Sequence, residues 1–414
     1  MLLRLAFSSL LARWITVGLT IFAIALSVAL FLGVEKVRTG AKTSFADTIS
    51  NTDLIVGARS GSVQLLLYSV FRIGNATNNI TWETYQDLAA RPEVAWAVPL
   101  SLGDSHRGYR VMGTTTDYFQ RYKFRGGREL AFAEGAVFED LFDAVVGADV
   151  AAALDYQLGT SIVVSHGLAS FVDHADKPFR VAGILEKTGT PVDRTVLVSL
   201  EAIEAIHVDW SGGGRVGRIS AEEVRGMVLE PKAITAMMLG TTSRLKVFTL
   251  QRAINEYPEE PLLAILPGVA LQELWEIVGV AETALIGVSA MVIATALLGM
   301  AAMIFASLNE RRREMAIFRA VGAGPRVIGA LLMLEAVLLT AIGIVLGVVL
   351  LYAGLYTARP YIDAAYGLYI PIEGLTGREI LVLASVLGAS AIVSLIPAWR
   401  AYALSIADGM TVRT

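Results

Sequence analysis

The chain has 414 residues, 55% of them hydrophobic and 17% charged, with a mean hydropathy of +0.59 and a formal net charge of -4. An ordinary soluble domain is about 45–50% apolar and about 25% charged, so the apolar excess must lie in lipid or in an unusually large core. The net charge gives no hint of nucleic-acid binding, which would need a basic stripe, and the absence of cysteine excludes disulfides and thiolate metal sites.

Residues 1–13 carry Arg4 and Arg13 and read as a short cytoplasmic segment. Residues 14–33 hold no charge and are long enough to span a bilayer core of about 30 Å. This apolar run exceeds the usual 7–15 residues of a signal peptide and lacks a small-x-small cleavage site, so an uncleaved anchor is expected.

Residues 34–268 form a large segment of mixed character, expected to be an α+β domain outside the cytoplasm, with room for two lobes. Thr81 to Ala90 reads as a short helix capped by Thr81. VAWAVPL from Val94 and VLVSL from Val196 read as strands. From Val145 the pattern is strand, helix, turn and strand, with Gly159 at the turn. Residues 269–283 are helical and run into the next span, which suggests a stalk; a terminal helix packed on the domain is the alternative.

Three further spans are expected at 284–308, 327–352 and 380–398. Between them lie a cytoplasmic loop at 309–326 and an outer loop at 353–379, and a cytoplasmic tail follows at 399–414. Arginines set this orientation. Arg311, Arg312, Arg313, Arg319 and Arg326 fill the first loop, and Arg400 and Arg413 follow the last span. The outer loop has few positive charges but carries Tyr356, Tyr361, Tyr366 and Tyr369, rings suited to an outer interface. Both termini are therefore expected in the cytoplasm.

Catalytic signatures are absent from the sequence. There is no GxxxxGK[ST] loop to cradle phosphates, no GxSxG elbow and no HExxH zinc pair. No enzymatic activity and no cofactor of its own are expected. All four histidines, His106, His166, His174 and His207, fall in the outer segment. His166 and His174, beside Asp173 and Asp176, are open to two readings: a metal or haem contact, or a polar surface loop. The second is preferred and no metal ligand is assigned, because proximity in sequence does not build coordination geometry.

Glu335 lies inside the third span, about 12 Å from its cytoplasmic end. A carboxylate there is costly and usually paired. Without another acid in a span interior, a structural role is preferred, as a bond to another helix or to a loop arginine. Gly343 and Gly347 form a GxxxG element that suits close helix packing, in a bundle or a dimer.

The loop from Asn309 to Arg326 reads as a short amphipathic helix. Met315, Phe318 and Val321 share one face, Gly322 and Gly324 stop it, and Pro325 suits the first turn of the next helix. It is either a lipid-headgroup anchor or a knob that a cytoplasmic partner pushes.

Glu310 to Gly347, ERRREMAIFRAVGAGPRVIGALLMLEAVLLTAIGIVLG, resembles the signature of FtsX-like ABC transporter permeases. IPAWRAYALSIADGM from Ile396 resembles that family's closing segment, and KPFRVAGILEKTGTPVDRTVLVSL from Lys177 resembles the periplasmic core domain of MacB-type members. The layout of one span, an outer domain and three spans is also theirs. The resemblance implies a type VII, mechanotransmitting permease of a bacterial inner membrane, with its large domain in the periplasm. Its ATPase is expected to be a separate cytoplasmic protein, acting as a dimer and holding the ATP and magnesium. ATPase contacts are implied at Glu310, Arg311, Arg312, Arg313, Glu314, Met315, Phe318, Arg319 and Gly322. The further partners implied are a second permease copy or paralogue, membrane lipid, and a periplasmic adaptor or carrier. Export or extraction of a substrate from the periplasm or outer leaflet is the leading expectation. The alternative is an FtsX-like regulator of a cell-wall hydrolase that moves no cargo.

Overall fold

The computed structural model of the chain describes residues 13–167, 173–211, 214–215, 217, 219–310, 323–366 and 372–400. These fall into two compact units. One comprises residues 1–40, 279–360 and 370–414, and the other 41–278 and 361–369. The first helix, α1 (Trp14–Asp47), contributes to both. It is helical well beyond its apolar run because nothing between Glu35 and Asp47 breaks the backbone ladder, whereas a hydropathy window ends at the first charges.

The second unit is built on a mixed sheet of ten strands. In chain order these are β1 (Leu54–Ala58), β2 (Val94–His106), β3 (Tyr109–Thr114), β4 (Phe132–Gly135), β5 (Asp143–Val146), β6 (Ser161–Ile162), β7 (Phe179–Leu185), β8 (Thr195–Ser199), β9 (Ala236–Thr241) and β10 (Leu262–Ile265). The spatial order is β10-β1-β9-β2-β3-β8-β5-β7-β4, with β6 paired to β7. The pairs β3–β8 and β5–β7 are parallel and the rest are antiparallel. The 13-residue β2 joins the two halves, since Leu100 opposes Ala236 of β9 whereas Leu102 opposes Met112 of β3.

The centre of this sheet is covered on both faces. Val111, Val146, Val196 and Val198 point into one core cluster, whereas their neighbours Met112, Val145 and Leu197 point into another. Successive side chains of a strand face opposite sides, so a strand buried on both must be apolar throughout. That is why DAVV and TVLVS carry almost no alternation. The helix expected after Thr81 spans Trp82–Ala89, and the Thr81 side chain accepts a hydrogen bond from the Thr84 amide. Gly159 holds the left-handed φ of 83° that its turn requires. Helix α2 (Leu200–His207) follows β8, capped by the Ser199 side chain.

One buried ion pair ties this unit together. Lys177 Nζ lies 2.7 Å from Asp209 Oδ1, with side chains 0% and 1% exposed. The pair connects the strand start at Phe179 to the segment after α2.

The remaining helices are α3 (Pro267–Glu310), α4 (Pro325–Tyr366) and α5 (Gly377–Val393). With α1 they are the four helices of the described residues long and apolar enough to cross a membrane. The expected stalk and second span are one unbroken helix. The third span continues to Tyr366 with Pro360 inside it, so the first part of the expected outer loop is helical. The rings of Tyr356 and Tyr361 sit on that helix and are exposed.

Asp209→Ala strands the Lys177 ammonium in the core. It is expected to cost about 3–5 kcal/mol, seen as a lower thermal midpoint of the purified chain in detergent.

Candidate functional site

The charges that interrupt the apolar runs of the membrane unit meet one another. On α1, Glu35, Lys36 and Arg38 follow the apolar residues; Glu282 precedes those of α3; Arg378 and Glu379 open α5. Arg38 is bidentate to Glu35, at 2.7 Å and 3.1 Å, and lies 3.4 Å from Glu282 Oε2. Arg378 lies 3.5 Å from Glu35. Lys36 Nζ is 3.2 Å from Glu379 Oε2, with side chains only 7% and 2% exposed.

Lys36 also donates to the carbonyls of Gly374 at 2.8 Å and Glu373 at 3.3 Å. The Tyr352 hydroxyl of α4 donates to the same Glu373 carbonyl. Glu379 has a second task, accepting from the Thr376 amide in a capping box while Thr376 Oγ1 accepts from the Glu379 amide. All four membrane helices therefore converge on one polar knot. A lone ammonium or carboxylate in such a setting is strongly disfavoured, and mutual pairing with carbonyl support removes most of that penalty.

Away from the knot the helices pack through small residues. A Cβ on Gly347 would sit 2.7 Å from the Ala25 carbonyl oxygen and 2.8 Å from Val28 Cβ, and one on Gly343 would sit 2.6 Å from Ile24 Cγ2. The GxxxG face of α4 is thus pressed on α1 of the same chain. The matching stripe on α1 is Ile24, Ala25, Val28 and Leu32, all buried, whereas Trp14, Leu19, Phe22 and Leu26 are exposed.

Glu335 lies on the inner stripe of α4, flanked by buried Leu331, Leu332, Ala336 and Leu339, and is 3% exposed. One turn on, the Thr340 hydroxyl points to Met300 of α3 at 3.4 Å. Glu310 is the final residue of α3. Arg311, Arg312, Arg313, Glu314, Met315, Phe318, Arg319 and Gly322 lie outside the described residues.

Of the two histidines read as a polar surface loop, His166 is exposed and His174 is not. His106 is a core residue. Its Nδ1–H donates to the Val163 carbonyl at 2.6 Å and its Nε2 accepts from the Tyr156 hydroxyl at 2.6 Å. Burial, the largest influence on it, lowers its pKa. His166 and His174 come together with two residues distant in sequence, Asp104 and His207. His174 is 2% exposed, not part of a surface loop. Burial pushes its pKa down to about 4, with the charge of His207 adding to the effect. Burial disfavours the Asp104 carboxylate, but hydrogen bonds from His166 and His207 outweigh it and hold the pKa at about 2. Burial likewise opposes a charged His207, yet Asp104 raises its pKa. Asp173 turns elsewhere, accepting from the Ser165 hydroxyl at 2.6 Å.

Sequence reasoning missed the partnership of Lys36 with Glu379 and that of Asp104 with His207. The first left a signal, since opposite charges sit at matching ends of three apolar runs. The second left none, because only the sheet and α2 bring residues 104 and 207 together.

Two family models match the chain. The MacB-like periplasmic core domain matches residues 17–247, and the FtsX-like permease C-terminal matches residues 286–406. Among solved structures, the periplasmic region of MacB from Actinobacillus actinomycetemcomitans is similar at 10% identity, over 55% of this chain and 94% of that one, with a TM-score of 0.33. The extracellular domain of the noncanonic ABC-type transporter YknZ from Gram-positive bacteria is similar at 13% identity, over 52% of this chain and 100% of that one, with a TM-score of 0.31. No curated protein matches the chain.

Three substitutions test the membrane geometry. Gly347→Leu is expected to cost about 1–3 kcal/mol in detergent unfolding, because the clash is with backbone that cannot rotate away. Glu379→Ala and Lys36→Met should each lower the thermal midpoint, and the double variant should lose less than the sum of the two, with a coupling of about 0.5–3 kcal/mol. Additive losses would show that the pair does not act as a unit.

Proposed function

Because the chain belongs to the FtsX/MacB-type ABC permeases, with the MacB-like model alone matching residues 17–247, we propose that it is the membrane subunit of a mechanotransmitting transporter. Its work is to turn ATP hydrolysis by a separate cytoplasmic ATPase dimer into a shape change of its periplasmic domain. That change exports or extracts a substrate from the periplasm or the outer leaflet of the inner membrane. ATP and magnesium belong to the ATPase.

The observation that carries this reading is α3. It is an unbroken helix of 44 residues that starts just after β10, the last strand of the outer sheet, and ends at Glu310. At 1.5 Å per residue it is about 65 Å long. A continuous helix transmits axial or tilting motion because its backbone ladder resists bending, and no proline interrupts α3 after its first residue. Glu310 is also where the coupling segment begins.

In this reading the nucleotide-driven closure of the ATPases pushes on Glu310 to Gly322. Glu314, Phe318 and Arg319 are central to that contact: an aromatic ring to fill a pocket and charges to fix its register. The push tilts α3 and α4. The ionic knot passes the motion to α1 and α5, since Arg38 joins Glu35 of α1 to Glu282 of α3, and Lys36 joins α1 to α5. Both termini lie in the cytoplasm, as the arginine distribution favours.

A second permease copy completes the unit. Leu19, Leu26, Val288, Met291 and Thr295 line an apolar groove of about 610 Å³ between α1 and α3, a surface suited to that copy or to lipid chains.

The test is purification of the tagged chain from its native host in mild detergent. An ABC ATPase is expected to co-purify. Phe318→Asp combined with Arg319→Glu should release it without lowering the thermal midpoint of the membrane chain. A complex without any ATPase, or one that the double variant leaves intact, overturns the proposal.

A further inference from the structure

We propose that Asp104, His166, His174 and His207 form a binding site for a divalent transition-metal ion of the zinc class. The site is independent of the transport reading and lies wholly within the unit built on the ten-stranded sheet.

The geometry comes first. Each of the four residues supplies one ligand atom, and all four atoms lie within 4.8 Å of one another. His166 Nδ1 is 3.0 Å from His207 Nε2 and 3.4 Å from Asp104 Oδ1, and His207 Nε2 is 3.6 Å from the same oxygen. Zinc bonds to histidine and carboxylate are about 2.0–2.2 Å, so the edges of its tetrahedron are about 3.3–3.5 Å. The three edges seen here bracket that value.

The second observation is independent. His174 Nε2 is buried with no hydrogen-bond partner, on a residue only 2% exposed. A polar nitrogen left so is disfavoured, and an ion in the cluster would satisfy it. The supporting contacts also suit a ligand set. His207 Nδ1–H donates to the Ile203 carbonyl at 2.8 Å, which leaves its Nε2 lone pair facing the cluster. Metal-ligating histidines are usually oriented by such a second bond. Trp210 stacks on His166 with centroids 5.5 Å apart and an interplanar angle of 16°, fixing that ring.

The donor set selects the ion. Three imidazoles and one carboxylate suit zinc, nickel or copper(II), whereas calcium and magnesium require more oxygen ligands. Four protein ligands make a closed site, which is the structural type. His166, with its side chain 51% exposed, gives the ion a way in and out.

An ion here would join three separate pieces of the unit. Asp104 belongs to the end of β2, and His207 ends α2. The backbone beside His166 and His174 is already bridged to β2, with Ser165 pairing both Ser105 and Asp173. Binding the folded state in this way raises stability with metal concentration.

The experiment uses the full chain in detergent, with a tag free of histidine and after chelator treatment. Zinc is titrated against a chromophoric chelator, and cobalt(II) is added separately as a spectroscopic probe. One zinc per chain, a raised thermal midpoint and the intense visible bands of tetrahedral cobalt are expected. His174→Ala and Asp104→Asn should each weaken zinc binding by about 100-fold or more. His106→Gln, outside the cluster, should leave it unchanged. Circular dichroism and metal-free thermal midpoints of each variant separate loss of a ligand from loss of fold. The proposal is overturned by a chain that takes up no stoichiometric zinc, by the weak spectrum of octahedral cobalt, or by well-folded His174→Ala and His207→Ala variants that bind zinc as tightly as the parent.

Discussion

The pairing of Lys36 with Glu379 and of Arg38 with Glu35 and Glu282 is the constraint on which the membrane unit depends. Charges beside apolar spans must reach water or each other. Here they reach each other, and three helices are thereby held in register at the same end of their apolar runs. Ion pairs of this kind are a weak source of net stability, because desolvation offsets most of the attraction. Their value lies in specificity: a helix that slips by one turn strands a buried charge. Below the knot, the contact of Gly343 and Gly347 with α1 supplies close packing but little directional preference. The two devices divide the labour, one setting register and the other distance.

The outer unit obeys a different rule. Its sheet is buried on both faces at the centre, so its central strands are apolar runs, and the buried Lys177 is paired with Asp209. Pro267 opens α3 one residue after the edge strand β10. The helix α3 and the sheet are thus adjacent elements in the chain.

The histidine cluster sits in this same unit. Its residues come from β2, from the segment bridged to β2 through Ser165, and from α2, three pieces that share no continuous backbone ladder. Burial and the shared Asp104 push the histidines in opposite directions, His174 down and His207 up. Such a split is what three imidazoles around one carboxylate produce when no two of them occupy the same environment.

The sequence by itself determined the four apolar helices, the large domain after the first, the capped helix at Thr81 and the central strands, because these follow from local periodicity and hydropathy over contiguous residues. The FtsX-like signature from Glu310 to Gly347 was equally legible, being a contiguous string. Helix ends were less so: α1 and α4 outrun their apolar segments, since the backbone ladder continues through charged residues that a hydropathy window rejects. Only the tertiary structure decided which charges pair, that Gly347 meets Ala25, and that Asp104 and His207 join His166 and His174. Apart from Arg38–Glu35, three residues apart on one helix, each of those contacts joins residues tens to hundreds of positions apart, and their approach is set by sheet order and helix packing, to which no local pattern in the chain is sensitive.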